Sequence, residues 1–305
     1  MIEIIQSENQ FAFKDEKRNI DVFIKREDLM HPFVSGNKFR KLKYNLLQAK
    51  EENHSTLLTF GGAFSNHISA VAMAGKLEGF KTIGIIRGDE LADKIEENPT
   101  LKFAQENGMQ LEFVSREAYS KKTDVDFLEN LKLKFGDFYL VPEGGTNPLA
   151  VKGCEEILTK DDTAFDYVCC AVGTGGTISG LINSARPNQK VLGFPALKGD
   201  FLQNEIRNFA QHDNWQLIKD YHFGGYGKIT EELVLFLNQF SEKTKILLDP
   251  IYTGKMVFGV INLIQNNYFP NNSKILIIHT GGIQGIAGMN QLLEKKKLSK
   301  INTDV

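Results

Sequence analysis

The chain has 305 residues, 42% of them hydrophobic and 24% charged, with a formal net charge of -2. Such a length supports substantial cores and points to two lobes, while 36 basic residues against 38 acidic ones leave no basic face for nucleic acid. Cys154, Cys169 and Cys170 form no CxxC pair and read as buried thiols of a reducing compartment, without a disulfide framework or a metal site. With no leader and no apolar run long enough to cross a bilayer, a soluble, cytoplasmic protein is expected.

Residues 21–25 half-alternate as a short strand, and a connection holding His31 and Pro32 leads into Ser35-Gly36-Asn37-Lys38-Phe39-Arg40-Lys41-Leu42. Leu42, Leu46, Leu47 and Ala49 are spaced for a helix, so Lys38 falls at a loop-to-helix junction. A basic first turn is badly placed for the helix dipole. Either it is a solvated surface turn, or an anion such as a phosphate compensates it.

The following units repeat one grammar. Residues 56–60 read as a strand, then come Gly61-Gly62-Ala63-Phe64-Ser65-Asn66-His67 and a small-residue helix through Ala70 and Ala74. Strands are expected at 82–86 and 110–114 with a helix after Pro99 between them, a further helix on Phe127, Leu128, Leu131 and Leu133, and a return at 137–141. Gly144-Gly145-Thr146-Asn147-Pro148 turns into a helix over 149–158. Residues 167–171 form the most central-looking strand and empty into Gly173-Thr174-Gly175-Gly176-Thr177 and a helix over 178–183. Strands at 191–194, 215–218 and 274–278 and helices at 201–209, 229–240 and 255–264 complete the pattern, with the single Trp215 assigned to packing. Strands separated by helical stretches predict parallel sheets with helices on both faces.

In such sheets the loops leaving the strands gather along the carboxyl edge, where ligands bind. The loop from Gly173 to Thr177 combines a tight turn with a helix start and is suited to a phosphate, although GxGGT is neither the dinucleotide fingerprint nor a nucleotide triphosphate loop. Ser65, Asn66 and His67 open a helix and are either site residues or simple caps; His67 belongs to no recognisable hydrolase triad. Tyr226, among Gly224, Gly225 and Gly227, and Tyr252 are either packing aromatics or site residues. A phosphate loop together with a separate reactive lysine suits pyridoxal phosphate, whose aldehyde condenses with an amine.

Together with Asp249-Pro250-Ile251-Tyr252-Thr253-Gly254-Lys255, these segments resemble, in order and over nearly the whole chain, the D-cysteine desulfhydrase and 1-aminocyclopropane-1-carboxylate deaminase family of fold type II pyridoxal-phosphate enzymes. The resemblance implies an α/β protein of two domains, each an open, mostly parallel sheet flanked by helices, with residues 1–44 plus 146–305 binding the cofactor and residues 45–145 forming the smaller domain. It implies that Lys38 binds the cofactor covalently and that Lys41 contacts its phosphate. Gly173, Thr174, Gly175, Gly176 and Thr177 would cradle that phosphate, Asn66 would bond the ring oxygen and Thr280 would lie near the ring nitrogen. Ser65, Asn66 and His67 would face the substrate, with Tyr226 and Tyr252 positioning it or carrying protons.

The implied reaction is elimination from D-cysteine, giving pyruvate, ammonia and hydrogen sulfide, in a homodimer that takes a small amino acid and binds neither nucleic acid nor membrane. The alternative is 1-aminocyclopropane-1-carboxylate deamination to α-ketobutyrate and ammonia, or a related D-amino-acid ammonia-lyase acting on D-serine or β-chloro-D-alanine. Thr253 stands where deaminating members carry glutamate, which favours the desulfhydrase; Phe64 and the region from Phe194 to Trp215 also depart from the family pattern. A non-enzymatic small-metabolite binding protein is the alternative from another class.

Overall fold

The computed structural model describes residues 2–34, 36–199 and 201–304, so Ser35 of the lysine motif lies outside the described residues. In chain order the strands are β1 (Asn9–Asp15), β2 (Ile20–Lys25), β3 (Thr56–Gly61), β4 (Lys81–Arg87), β5 (Met109–Val114), β6 (Tyr139–Val141), β7 (Tyr167–Val172), β8 (Lys190–Pro195), β9 (Trp215–Leu217) and β10 (Lys274–Ile278). The helices are α1 (Asn37–Glu51), α2 (Asn66–Glu78), α3 (Pro99–Glu106), α4 (Arg116–Ser120), α5 (Val125–Phe135), α6 (Pro148–Glu155), α7 (Gly176–Ser184), α8 (Phe201–Arg207), α9 (Glu231–Thr244), α10 (Thr253–Gln265) and α11 (Gly285–Lys295).

Two sheets result, a six-stranded one in the order β1-β2-β10-β7-β8-β9 and a four-stranded one in the order β5-β4-β3-β6. Every pairing is parallel except that of β1 with β2. Strands β3 and β7 are buried along nearly their whole length, as near-continuous apolar runs covered on both faces must be. Apolar clusters cover both faces of the larger sheet, one formed with α9, α10 and α11 and one with α6 and α7. Two further clusters do the same for the smaller sheet.

The expected strands and helices are present, with ends shifted by a few residues. Three elements go beyond the expectation. Strand β1 is a half-exposed edge whose bulge between Phe11 and Phe13 breaks its alternation. Helix α4 has only five residues, and α11 starts on glycine, its stability resting on the burial of Ile286, Met289 and Leu293. Leu133, expected on the apolar stripe of α5, is 85% exposed, because the helix buries Leu131 and turns Leu133 to solvent. Trp215 packs against the cluster under α7, as assigned.

Helix α1 is continuous through residues 44 and 45 and is packed tightly against α6. A Cβ on Gly153 of α6 would lie 1.9 Å from the Arg40 carbonyl oxygen, so the two backbones touch where no side chain fits. At the start of α1, Gly36 has φ +59°, and a Cβ there would lie 2.1 Å from the Thr280 carbonyl oxygen. These two close approaches hold α1 between the end of β10 and α6, which fixes where Lys38 and Lys41 point. Gly153→Ala is expected to lower the unfolding free energy by about 1–3 kcal/mol, the usual cost of overpacking. A urea denaturation midpoint equal to that of the wild type would refute this packing argument.

Candidate active site

A cavity of about 790 Å³ opens where the carboxyl ends of the two sheets meet the start of α1. The loops after β3, β6, β7, β8 and β10 and the last residue of β4 all reach it, as expected for parallel sheets. It is lined by Lys38 and Lys41 from α1, Ser65, Asn66 and His67 from the start of α2, and Tyr226, Tyr252 and Thr280 from three later loops. Of the five residues from Gly173 to Thr177, Gly176 alone does not line it. Gly176 faces Thr146 and Lys41 instead, and a Cβ there would lie 2.9 Å from Thr146 Oγ1.

The two lysines define the electrostatics. Lys41 Nζ donates to the Gly144 carbonyl at 2.9 Å, Thr146 Oγ1 at 2.9 Å and Thr174 Oγ1 at 3.2 Å, three neutral acceptors. Burial lowers its pKa. Lys38 is in contact with the cavity but otherwise packed round by protein; desolvation first, and the Lys41 charge second, bring its pKa down to about 7. Among the described residues no carboxylate pairs with either lysine, so the site has a surplus of positive charge.

The turn before α7 is built for an anion. Gly175 caps the helix in the left-handed region at φ +86°, leaving the first N–H groups of α7 without intrahelical partners. Thr174 Oγ1 lies 2.6 Å from Thr146 Oγ1, and Asn37 Nδ2 donates to Thr177 Oγ1 at 2.9 Å, tying the turn to α1. Gly173 does another job: its missing side chain makes room for the Tyr252 ring, which a Cβ would approach to 3.2 Å.

Ser65 caps α2, its Oγ accepting from Ile68 N at 3.4 Å, so the cap reading holds while the side chain also lines the cavity. Asn66 Oδ1 accepts from Gln284 Nε2 at 3.4 Å. His67 is buried, with Nε2 2.8 Å from Thr59 Oγ1 and Nδ1 lacking any hydrogen-bond partner among the described residues. Burial, then the charges of Lys38 and Lys41, push its pKa well below the usual histidine value despite the opposing Pro142 carbonyl. It is therefore neutral.

The rings of Tyr226 and Tyr252 meet edge to face, 6.1 Å apart. Desolvation raises both pKa values, and the contact between the two hydroxyls works against that rise at Tyr226 and adds to it at Tyr252. Lys255 on α10 holds the Tyr226 loop: its buried Nζ donates to the carbonyls of His222 at 3.0 Å and Gly225 at 2.9 Å. Burial lowers its pKa to about 8, against the pull of Asp249. Thr253 lies outside the cavity wall, its hydroxyl donating to Asp249 Oδ2 at 2.7 Å. Asp249 also accepts from the N–H groups of Ile251, Tyr252 and Thr253, so its carboxylate is fully engaged.

The sequence reading missed Thr146 and Gly144 as partners of Lys41, Lys255 as the clasp, and Arg87, Lys122 and Glu143 on the cavity wall. The turn at Gly144 and Thr146 had the same strand-loop-helix signature as the assigned loops, and Lys255 stood in a quoted motif without an assigned role; Arg87, Lys122 and Glu143 carried no signal.

These residues fit pyridoxal phosphate. Buried Lys41 and half-buried Lys38, without a counter-ion among the described residues, and an open helix start suit its phosphate, and the lowered pKa of Lys38 suits condensation with its aldehyde. A family model described as pyridoxal-phosphate dependent enzyme matches residues 9–281. The "Putative 1-aminocyclopropane-1-carboxylate deaminase" of Pyrococcus horikoshii is 33% identical over 87% of this chain and 85% of its own length. The bifunctional D-cysteine desulfhydrase/1-aminocyclopropane-1-carboxylate deaminase of Arabidopsis thaliana is 31% identical over 87% of this chain and 73% of its own. The crystal structure of an ACC deaminase homologue superposes with a TM-score of 0.84 at 27% identity, covering 96% of this chain and 95% of that one.

Two outcomes are expected. Capture of added pyridoxal phosphate by Lys38, followed by the absorbance of the bound cofactor, rises with pH with its midpoint at about 7, since only the neutral amine reacts. Lys41→Met moves that midpoint to higher pH by removing a like charge; an unmoved midpoint would show that Lys41 does not act on Lys38. Lys255→Met leaves two buried carbonyls without donors, and hydrogen-exchange protection across residues 222–228 is expected to fall about tenfold or more, while the absorbance of bound cofactor is retained.

Proposed function

The chain belongs to the family of pyridoxal-phosphate dependent enzymes, and from that premise we propose that it releases ammonia from a small amino acid by elimination or deamination at Lys38. The observation that carries the reading is the Lys38 amine, brought to about 7 within the cavity that Tyr226 and Tyr252 also line. Bound pyridoxal phosphate supplies an aldehyde for an amine to condense with and a ring that draws electrons from the adjoining carbon. Lys38 would hold it, and Lys41 with the loop from Gly173 to Thr177 would face its phosphate. Asn66 would bond the ring oxygen, and Thr280 would offer its nitrogen a hydroxyl in place of a carboxylate.

The open N–H groups at the start of α2, with Ser65 and His67, would take the substrate carboxylate. Lys38, its pKa brought down to about 7, is placed to accept a proton from the substrate carbon, and the Tyr226–Tyr252 pair to pass one on the other side. Residues 1–44 with 146–305 would form the cofactor-binding unit and residues 45–145 the smaller one. In support, each sheet draws all its strands from one of these sets.

Between the two substrates considered, the relatives support the deaminase better than the desulfhydrase preferred from sequence. That activity is named for the Arabidopsis protein and, as putative, for the Pyrococcus protein at 33% identity, while the desulfhydrase is named for the Arabidopsis protein and for a Serratia proteamaculans protein at only 26% identity. Thr253 supports the second reading, D-cysteine elimination, because its hydroxyl is turned to Asp249 and brings no carboxylate to the cavity.

The test is a product assay on cofactor-loaded protein with 1-aminocyclopropane-1-carboxylate, D-cysteine, L-cysteine and D-serine supplied separately. α-Ketobutyrate from the first supports the deaminase reading; pyruvate and sulfide from D-cysteine alone would reverse the order. Lys38→Ala is expected to abolish both the lysine-bound absorption band and every product. Loss of neither would defeat the enzyme reading.

A further inference from the structure

The cavity wall carries one cation that nothing described so far employs. Arg87 ends β4, beside the loop that opens α2; its Nη2 lies 3.7 Å from the place a Cβ on Gly62 would take. Its guanidinium stands over the Tyr119 ring at 5.8 Å. The one carboxylate of that wall, Glu143, is already engaged: Tyr119 Oη donates to it at 2.7 Å and Lys122 Nζ lies 3.3 Å away. Glu205, the other lining carboxylate, stands on α8 beside Gly175, at the phosphate-loop end. Among the described residues, Arg87 therefore has a stacking platform and no anionic partner.

We infer that Arg87 recognises a second anionic group on the substrate, so that the preferred substrate is a small amino acid whose side chain ends in a carboxylate, sulfonate or phosphate. The inference rests on the proposed lyase reading, in which the start of α2 takes the α-carboxylate and Lys38 and Lys41 serve the cofactor. Those assignments leave Arg87 as the cation without a role. A planar fork held over an aromatic face and open to the cavity is suited to pairing with such a group. The volume of about 790 Å³ leaves room for a longer side chain than those of 1-aminocyclopropane-1-carboxylate or D-cysteine. Both of these, lacking the second anion, are then weaker substrates.

Binding is tested with unreactive probes on the cofactor-loaded protein: propionate with one anionic group, and succinate, 3-sulfopropionate and 3-phosphonopropionate with two. Calorimetry is expected to show at least one of the three binding about tenfold tighter than propionate, the worth of one charge-assisted contact, and which of them does so identifies the terminal group. In Arg87→Gln that ratio collapses toward one, and in Arg87→Lys it is partly kept. Because Arg87 is exposed, neither variant disturbs a core. Equal binding of all four probes by the wild type, or a ratio unchanged in Arg87→Gln, overturns the inference.

Turnover is read separately, as pyruvate from O-phosphoserine and serine in each enantiomer. With O-phosphoserine the Cα proton is lost, the Cβ–O bond breaks with its electron pair leaving on phosphate, and one water completes the release of pyruvate and ammonia. No product from any amino acid would sink the lyase reading, while the probe ratios would still decide the role of Arg87.

Discussion

Two lysines at the start of one helix, Lys41 buried and Lys38 half-buried at the cavity, have no carboxylate to answer them among the described residues. Lys41 finds only neutral oxygens, and Lys38 is brought to about 7 by its burial and its neighbour. Removing two ammonium groups from water without a counter-ion is a cost that a fold does not carry for structural reasons, since an apolar helix face would do better. The arrangement makes sense when a bound anion supplies the missing charge. A ligand that binds only the folded chain also stabilises it by mass action, so the cofactor is part of what holds this corner of the protein together.

Keeping those lysines in place is the work of backbone contact more than of hydrogen bonding. Gly36 lies against the Thr280 carbonyl and Gly153 against the Arg40 carbonyl, clamping α1 from both sides. Asn37 then joins α1 to the turn before α7, and Lys41 joins it to the turn after β6. The remaining wall is held differently. The Tyr226 loop has four residues at positive φ, Phe223, Gly224, Gly225 and Gly227, and is held by the ammonium of Lys255. One side of the cavity is therefore rigid through packing, and the other through two hydrogen bonds from a single buried amine.

This division explains which features were legible in the sequence. Strands such as β3 and β7 are predominantly apolar, buried runs that lead into glycines, so their position and the loops after them can be read from a single chain, and those loops do reach one cavity. Parallel topology makes that convergence a geometric consequence. The turn holding Thr146 and the motif holding Lys255 were legible, but the roles of Thr146, Lys255 and Arg87 were not, because each gains its place from a partner far along the chain: Lys41, the His222 carbonyl, and Tyr119. Helix α11 and strand β1 escaped for a local reason, since neither has a periodic pattern strong enough to outweigh its glycines or its bulge. Gly176 shows the converse: a glycine in the right motif, turned away from the cavity to let Thr146 and Lys41 approach.

The same charges also order the cavity along its length. At the inner end, Lys38, Lys41 and the start of α7 gather positive charge in a desolvated setting, where it acts strongly on whatever lies within a few ångströms. At the outer wall, Lys122 is answered by Glu143, and Arg87 is half in water. Once a phosphate has neutralised the inner end, the field that an incoming substrate meets is set by the outer wall, because solvent screens it only in part and the two lysines no longer contribute a net charge. On the proposed reading the inner residues then serve a reaction common to many amino acids, and Arg87, at the end of a strand of the smaller sheet, adds a choice among those amino acids that the lysine and glycine motifs do not make.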